Sequence, residues 1–328
     1  MPKTLLAALF ALASLANAAD DRLVFPGKSG PGKGKRIVLV SGDEEYRSEQ
    51  ALPELAAILA ERHGFDCTVL FSIDPHDGTV RPDLPGNIPG LEALDSADLL
   101  VLFTRFRDLP DAQMKHIVDY VESGRPIVAI RTATHAFDLK SSRTYRQWSW
   151  NSKQWDGGFG RQVLGETWIN HHGKHKVQSS RALIASGQEG HPILHGIRTG
   201  EIWVPTDVYQ VRLPVAEGVR PLLLGQVLEG MKPDDPPAMG PVNDPMMPVA
   251  WTRSYKGGRT FTTTMGSAED LLSEGFRRLL VNACYWAAGL EKRIPPRAGV
   301  ALVGLYRPLP FGFGGFAKGM HVTDWQGR

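Results

Sequence analysis

The chain has 328 residues, of which 42% are hydrophobic, and 37 Lys and Arg against 35 Asp and Glu leave a net charge of +2. That is enough apolar material for one large core, and too balanced a charge to mark a nucleic-acid-binding or membrane-surface protein. The only two cysteines, Cys67 and Cys284, each sit inside an apolar run and read as buried free thiols rather than as a disulfide.

Met1-Pro2-Lys3 is a short basic start, Thr4 to Leu15 is apolar, and Ala16-Asn17-Ala18 places small residues where a signal peptidase reads. This three-part pattern predicts a signal peptide over residues 1–18 and a periplasmic or secreted mature protein. The apolar run falls short of the roughly 20 residues a spanning helix needs, and no later segment reaches that length, so no membrane span is expected. Residues 19–35 are rich in Gly, Pro and Lys and read as a flexible lead-in.

Arg36 to Val40, apolar from Ile37 onward and ending at Ser41-Gly42, has the pattern of a strand buried on both faces. A helix follows with Leu52, Leu55, Ile58 and Leu59 on one face; Pro53 predicts that its regular part begins there, and Gly64 ends it. Cys67 to Ile73 reads as a strand, Asp74 to Gly90 as a loop, and Leu99 to Phe103 as a strand. Pro110 to Ser123 reads as a helix stopped by Gly124, and Pro126 to Ile130 as a fourth strand. Strands alternating with helices at this spacing predict an α/β domain, residues 36–290, with a parallel sheet covered on both faces.

Residues 132–180 break that rhythm. They hold Tyr145, Trp148, Trp150, Trp155, Trp168 and a knot of histidines, and only the stretch near Gln162-Val163-Leu164 looks helical. Long aromatic insertions of this kind are usually functional. Beyond them, Glu201 to Leu213, Pro221 to Val227, Val249 to Tyr255 and Arg259 to Thr264 read as strands, the last two joined at Lys256-Gly257-Gly258 as a hairpin. A helix with Phe276, Leu279, Leu280, Ala283 and Trp286 on one face ends at Gly289. The Pro/Gly-rich tail, residues 291–328, is too apolar to be solvated and is expected to lie against the domain or against a neighbouring subunit of a homo-oligomer.

Ligands of open parallel sheets bind beyond the carboxyl ends of the strands. Those ends carry Asp43, Glu44, Glu45, Tyr46 and Arg47, then Arg105, then Arg131, Thr132 and His135. Pro126 to His135 has the outline of a nucleophile elbow, but the elbow position is Arg131, which cannot attack. His171, His172 and His175 form the densest histidine cluster; with His135 and a carboxylate such as Asp43, Glu44 or Glu166 they would suit zinc or a similar divalent ion. The other reading is histidines that hydrogen-bond a polar ligand or one another.

Four stretches together resemble a known family: Val40 to Arg47; Ile127 to His135; His191 to Ile197 followed by Trp203 to Tyr209; and Trp251 to Gly266. In their order and spacing the chain is similar to the ThuA-like (trehalose utilisation) proteins. The resemblance implies a flavodoxin-like, class I glutamine amidotransferase-like α/β sandwich with a mostly parallel central sheet. It also implies a place in carbohydrate metabolism, on sugars or keto-sugars. Arg131 stands where a glutamine amidotransferase carries its catalytic cysteine, which removes that activity.

The residues then support an exported sugar enzyme, a hydrolase, lyase or isomerase. Asp43, Glu44, Glu45 and His135 would do the acid–base work. Tyr46, Arg47, Arg105, Arg131 and Thr132 would bind oxygens, and Trp148, Trp150 and Trp155 would stack on the small carbohydrate ligand. A non-catalytic carbohydrate-binding protein would use the same pocket, and a structural assembly module would use the tail instead.

Overall fold

The computed structural model describes residues 21–326, so the expected signal peptide lies outside the described residues. Its first half contains β1 (Arg22–Phe25), β2 (Arg36–Gly42), α1 (Ser48–His63), β3 (Asp66–Leu70), β4 (Leu99–Thr104), α2 (Asp111–Glu122) and β5 (Ile127–Ile130). Its second half contains β6 (Asn170–His171), β7 (Ser180–Ile184), β8 (Ile202–Val204), β9 (Tyr209–Gln210), β10 (Arg220–Val227), β11 (Met247–Tyr255), β12 (Gly258–Thr263) and α3 (Glu274–Ala287).

Ten strands make one sheet in the order β1-β3-β2-β4-β5-β12-β11-β10-β7-β8, and β6 pairs separately with β9. The expectation of a mostly parallel sheet needs correcting. The contacts β3–β2, β2–β4, β4–β5 and β5–β12 are parallel, but β1–β3, β12–β11, β11–β10, β10–β7 and β7–β8 are antiparallel. The cause is connectivity. Parallel neighbours need a long crossover, usually a helix, and among the described residues α2 and α3 have no α-helix between them. At β11–β12 the chain reverses through Lys256 and Gly257, with φ of 48° and 84°, the pair of left-handed residues that matches strand twist in a tight hairpin.

Side chains alternate across the central strands. Ile37 and Leu39 of β2 join the core under α1 and α3, and Val38 and Val40 join the core on the α2 side. Both faces are therefore buried, which is why these strands read as unbroken apolar runs. Cys67 and Cys284 are free and buried within the first of these cores.

Two segments differ from the sequence reading. Residues 22–25, expected in a flexible lead-in, pair antiparallel with β3 as an edge strand. The run that follows lies so close to the end of α1 that a Cβ on Gly27 would stand 2.2 Å from the Gly64 carbonyl oxygen. Helix α1 begins at Ser48, not near Pro53, which sits inside it. The strongly buried face of Leu52, Leu55, Ile58 and Leu59 outweighs the one backbone hydrogen bond that proline removes.

Glu49, in the first turn of α1, is buried with neither carboxyl oxygen hydrogen-bonded, and burial pushes its carboxyl up to about 8. Its folded value lies above its unfolded one, so its contribution to stability is full below the unfolded value of about 4.5 and is lost as pH rises through about 8. Glu49→Gln is accordingly expected to be roughly 1–3 kcal/mol more stable than wild type above about pH 8 and near-neutral in effect at acid pH. Urea denaturation across that range checks this, and a wild type whose stability does not fall with rising alkalinity would contradict it.

The Pro/Gly-rich tail runs back along α1 to the carboxyl ends of the parallel strands. Ile294, Val300, Phe311, Val322 and Trp325 bury themselves on the domain as it goes. Among the described residues, no helix is long and apolar enough to cross a membrane.

Candidate functional site

The site is built at the carboxyl end of β5. After Ile130 the chain turns sharply into a 3-10 turn, Arg131–His135, with Arg131 in the left-handed region at φ 48°. A non-glycine residue held there costs about 1–3 kcal/mol and persists only where its surroundings over-determine it. Gly266 allows the turn, since a Cβ there would lie 2.4 Å from Ile130 Cγ2.

Four hydrogen bonds hold Arg131. Its Nη1 donates to the carbonyls of Asp207 (2.7 Å) and Thr264 (2.6 Å), and its Nη2 donates to Tyr46 Oη (3.0 Å) and Asp207 Oδ1 (2.7 Å). The guanidinium also lies over the Tyr46 ring, 4.4 Å from its centroid. Arg131 and Asp207 are both almost completely buried, so this is an internal ion pair.

Asp207 follows β8 and is the hub of the site. Its Oδ1 also meets His175 Nδ1 at 3.1 Å, and its Oδ2 meets His171 Nδ1 at 3.0 Å. Burial alone would raise the Asp207 carboxyl. The Arg131 guanidinium and the two histidine hydrogen bonds outweigh it and hold the carboxyl far below the usual range. The hydrogen bond to Asp207 in turn raises His171 above its ordinary value. His175 bridges two carboxylates, because its Nε2 is 3.4 Å from Glu45 Oε1. Burial, then the nearby Asp43 charge, raises the Glu45 carboxyl against the pull of Arg105, Arg131 and His175.

These groups open onto a cavity of about 150 Å³. Glu45, Arg105, Thr132 and His171 supply its polar lining, and Phe106, Trp168 and Phe313 supply its apolar walls. His135 lies between Phe106 and Trp168, with ring centroids 5.0 and 5.3 Å away. Burial, reinforced by the charges of Arg105 and Arg131, holds it well below the ordinary histidine value, so it is neutral at physiological pH. The cavity thus combines a histidine disposed to carry a proton, a neutral histidine, a carboxyl with raised affinity for a proton, and a guanidinium.

Of the residues expected here from sequence, Glu45, Tyr46, Arg105, Arg131, Thr132, His135 and His171 line the cavity, and His175 stands behind them. The others go elsewhere. Asp43 is buried and braces two loops, accepting from Thr132 Oγ1 and from the Tyr46 amide. Glu44 accepts the Gly314 amide at 3.1 Å, and Arg47 donates to the Glu44 carbonyl. His172 Nε2 turns away to the Val242 carbonyl at 2.7 Å, so it does not join His171 and His175. Glu166 pairs with Arg161.

The tryptophans separate as well. Trp148 packs on Phe159 and Trp155 in the core on the α2 side, so neither Trp148 nor Trp155 faces the cavity. Trp150 supports the aromatic wall from behind, 5.5 Å from Phe106 and 5.6 Å from Trp168. Sequence reasoning missed Asp207, Phe106, Trp168 and Phe313. Asp207 had a signal, as the carboxylate just beyond a short strand within the Trp203 to Tyr209 stretch.

The set His171, His175 and Asp207 is also the one group of histidine and acidic residues, among the described residues, with ligand atoms all within 4.8 Å of one another. Two imidazoles and a carboxylate are a donor set suited to zinc.

Comparison with known proteins agrees with the architecture. A ThuA-like protein from Parabacteroides merdae superposes with a TM-score of 0.51 at 16% identity, over 78% of this chain and 90% of that one. A ThuA-like protein from Bacteroides uniformis gives a TM-score of 0.50 at 16% identity, over 80% of this chain and 95% of that one. No curated protein matches the chain by sequence. Residues 36–287 match the family described as ThuA, trehalose utilisation, and with most of its length inside that match the chain belongs to the ThuA family.

Proposed function

We propose that the protein is an enzyme acting on a sugar or keto-sugar derivative by acid–base chemistry at the cavity beyond β5. The observation that carries the reading is the Asp207 carboxylate, which joins a buried arginine to two histidines at the cavity. The family's association with trehalose utilisation supports the choice of substrate class. No thiol stands at the elbow, so glutamine amidotransferase chemistry is not part of the proposal.

In this reading Arg131 keeps Asp207 ionised, and Asp207 fixes the Nδ1 proton of His171. That leaves His171 Nε2 to give a proton to an oxygen of the ligand. His135, held neutral, or Glu45 accepts a proton in return. Arg105 binds hydroxyl or carbonyl oxygens. Phe106 and Trp168 take the apolar face of the ring. The proposal places this work outside the cytoplasm, on the strength of the pattern in the first 18 residues.

The test is turnover. Trehalose and a panel of keto-sugars incubated with purified protein should yield product by proton NMR, and Asp207→Asn should slow its formation without abolishing it. A ligand that stabilises the fold but emerges unchanged would make the protein a carbohydrate-binding protein instead.

The close set of His171, His175 and Asp207 favours a second reading, a divalent cation such as zinc held there. Elemental analysis separates the two. About one ion per chain, lost in a His171→Ala, His175→Ala variant, would establish a metal-assisted site, and no metal after incubation with excess zinc would leave the acid–base reading alone.

A further inference from the structure

Residues 309–315 lie outside the stretch that matches the family, yet they reach the site. The strap is tied down by its own backbone. The amide of Leu309 donates to Gln50 Oε1 (2.9 Å), that of Phe311 to Glu269 Oε2 (2.9 Å), that of Gly312 to the Glu45 carbonyl (2.6 Å) and that of Gly314 to Glu44 Oε2 (3.1 Å). Gly315 passes so close to Arg47 that a Cβ there would lie 2.4 Å from Nη2. Glu44 and Arg47, which the sequence offers as site residues, thus grip the strap.

The strap then presents two rings. Phe311 is buried and stacks on Tyr46, with centroids 5.6 Å apart and planes 23° from parallel, while its edge meets His175 at 5.6 Å. Phe313 lines the cavity and remains 61% exposed, a high value for a ring so firmly anchored on either side. The Arg105 guanidinium is held between Phe313 and Phe106, 4.8 Å from each centroid. An exposed aromatic face beside a guanidinium, on a segment whose backbone is fixed, is the arrangement that selects a ring carrying oxygens on one side and C–H groups on the other.

We propose that the strap is an integral wall of the site, in which Phe313 positions Arg105 and offers the stacking face that sets ligand specificity. The stacking part rests on the sugar-site reading above, whereas the positioning of Arg105 does not.

Both parts are tested on the full chain with Phe313→Ala and Phe313→Trp. Modification of Arg105 by phenylglyoxal, followed by peptide mass spectrometry, reads the positioning role without any ligand. The expected result is about fivefold faster modification in Phe313→Ala, the scale of one lost cation–π contact, with Phe313→Trp at the wild-type rate. Equal rates in all three proteins would overturn the proposal. Calorimetric titration with trehalose and with fructose reads the stacking role, with affinity about tenfold weaker in Phe313→Ala and restored in Phe313→Trp. Unchanged affinity in Phe313→Ala would overturn it. If wild type takes up neither sugar, the sugar reading falls and the phenylglyoxal rates alone decide whether the strap is part of the site.

Discussion

Replacing Arg131 with methionine is expected to destabilise the fold by about 3–5 kcal/mol, the usual cost of removing one partner of a buried ion pair. Methionine keeps much of the side chain's volume, so the loss is electrostatic. The Asp207 carboxylate would remain in a site with almost no water contact, and the carbonyls of Asp207 and Thr264 would each lose a donor. Arg131→Met combined with Asp207→Leu removes both charges and should recover part of the loss, as replacement of whole buried pairs often does.

The pH dependence carries the sign of the same pair. The folded value of Asp207 lies below its unfolded one, so its contribution is full above about pH 4 and is lost as pH falls through the folded value. Urea denaturation of wild type and both variants, at neutral pH and near pH 3, gives the comparison. A single variant within about 1 kcal/mol of wild type would show that the ion pair does not hold the elbow in place.

Removing the His171 imidazole by alanine substitution is expected to lower turnover by about 10²–10⁴, the range for a positioned general acid. A second variant tells catalysis from structure. His171 owes its raised value first to the hydrogen bond it donates to Asp207, so Asp207→Asn should let it fall back toward the ordinary histidine value. A reaction that needs protonated His171 loses rate as pH rises through that value. The alkaline limb of the kcat profile should therefore move to lower pH in Asp207→Asn. An unmoved limb, with kcat merely scaled down, would take His171 out of the acid role.

The parallel half of the sheet could be read from sequence because burial on two faces forces unbroken apolar runs, four residues at Ile37 to Val40 and five at Leu99 to Phe103. The antiparallel half was harder. The strands expected over 221–227, 249–255 and 259–264 match β10, β11 and β12 to within two residues, but β7 was not read, because Ser180–Ile184 opens on a serine and an arginine and holds only three apolar residues.

The site divides along the same line. Glu45, Arg105, Arg131 and His135 lie just past readable strands, so strand-end reasoning reaches them. Asp207 meets Arg131 across 76 residues of sequence, a separation no local pattern encodes. Tryptophan count was a poor guide, because a dense insertion shows how many rings a loop holds but not which side they face. Trp148 went to the core, while Trp168, unmarked beforehand as a ligand contact, forms the wall.

The seam between β5 and β12 bears on how the chain is made. Thr260 pairs with Ile127, so 133 residues (260 − 127) separate the two sides of this parallel contact. At roughly 5–20 residues per second, a ribosome takes about 7–27 s to follow β5 with its partner. Through that interval the nascent β1-β3-β2-β4-β5 group ends in an unpaired, wholly apolar edge, the kind of edge that recruits other chains. Crowded synthesis at high expression should therefore drive this protein toward aggregation during translation, and slower initiation or a chaperone that shields strand edges should raise the soluble yield more than any change to the finished fold.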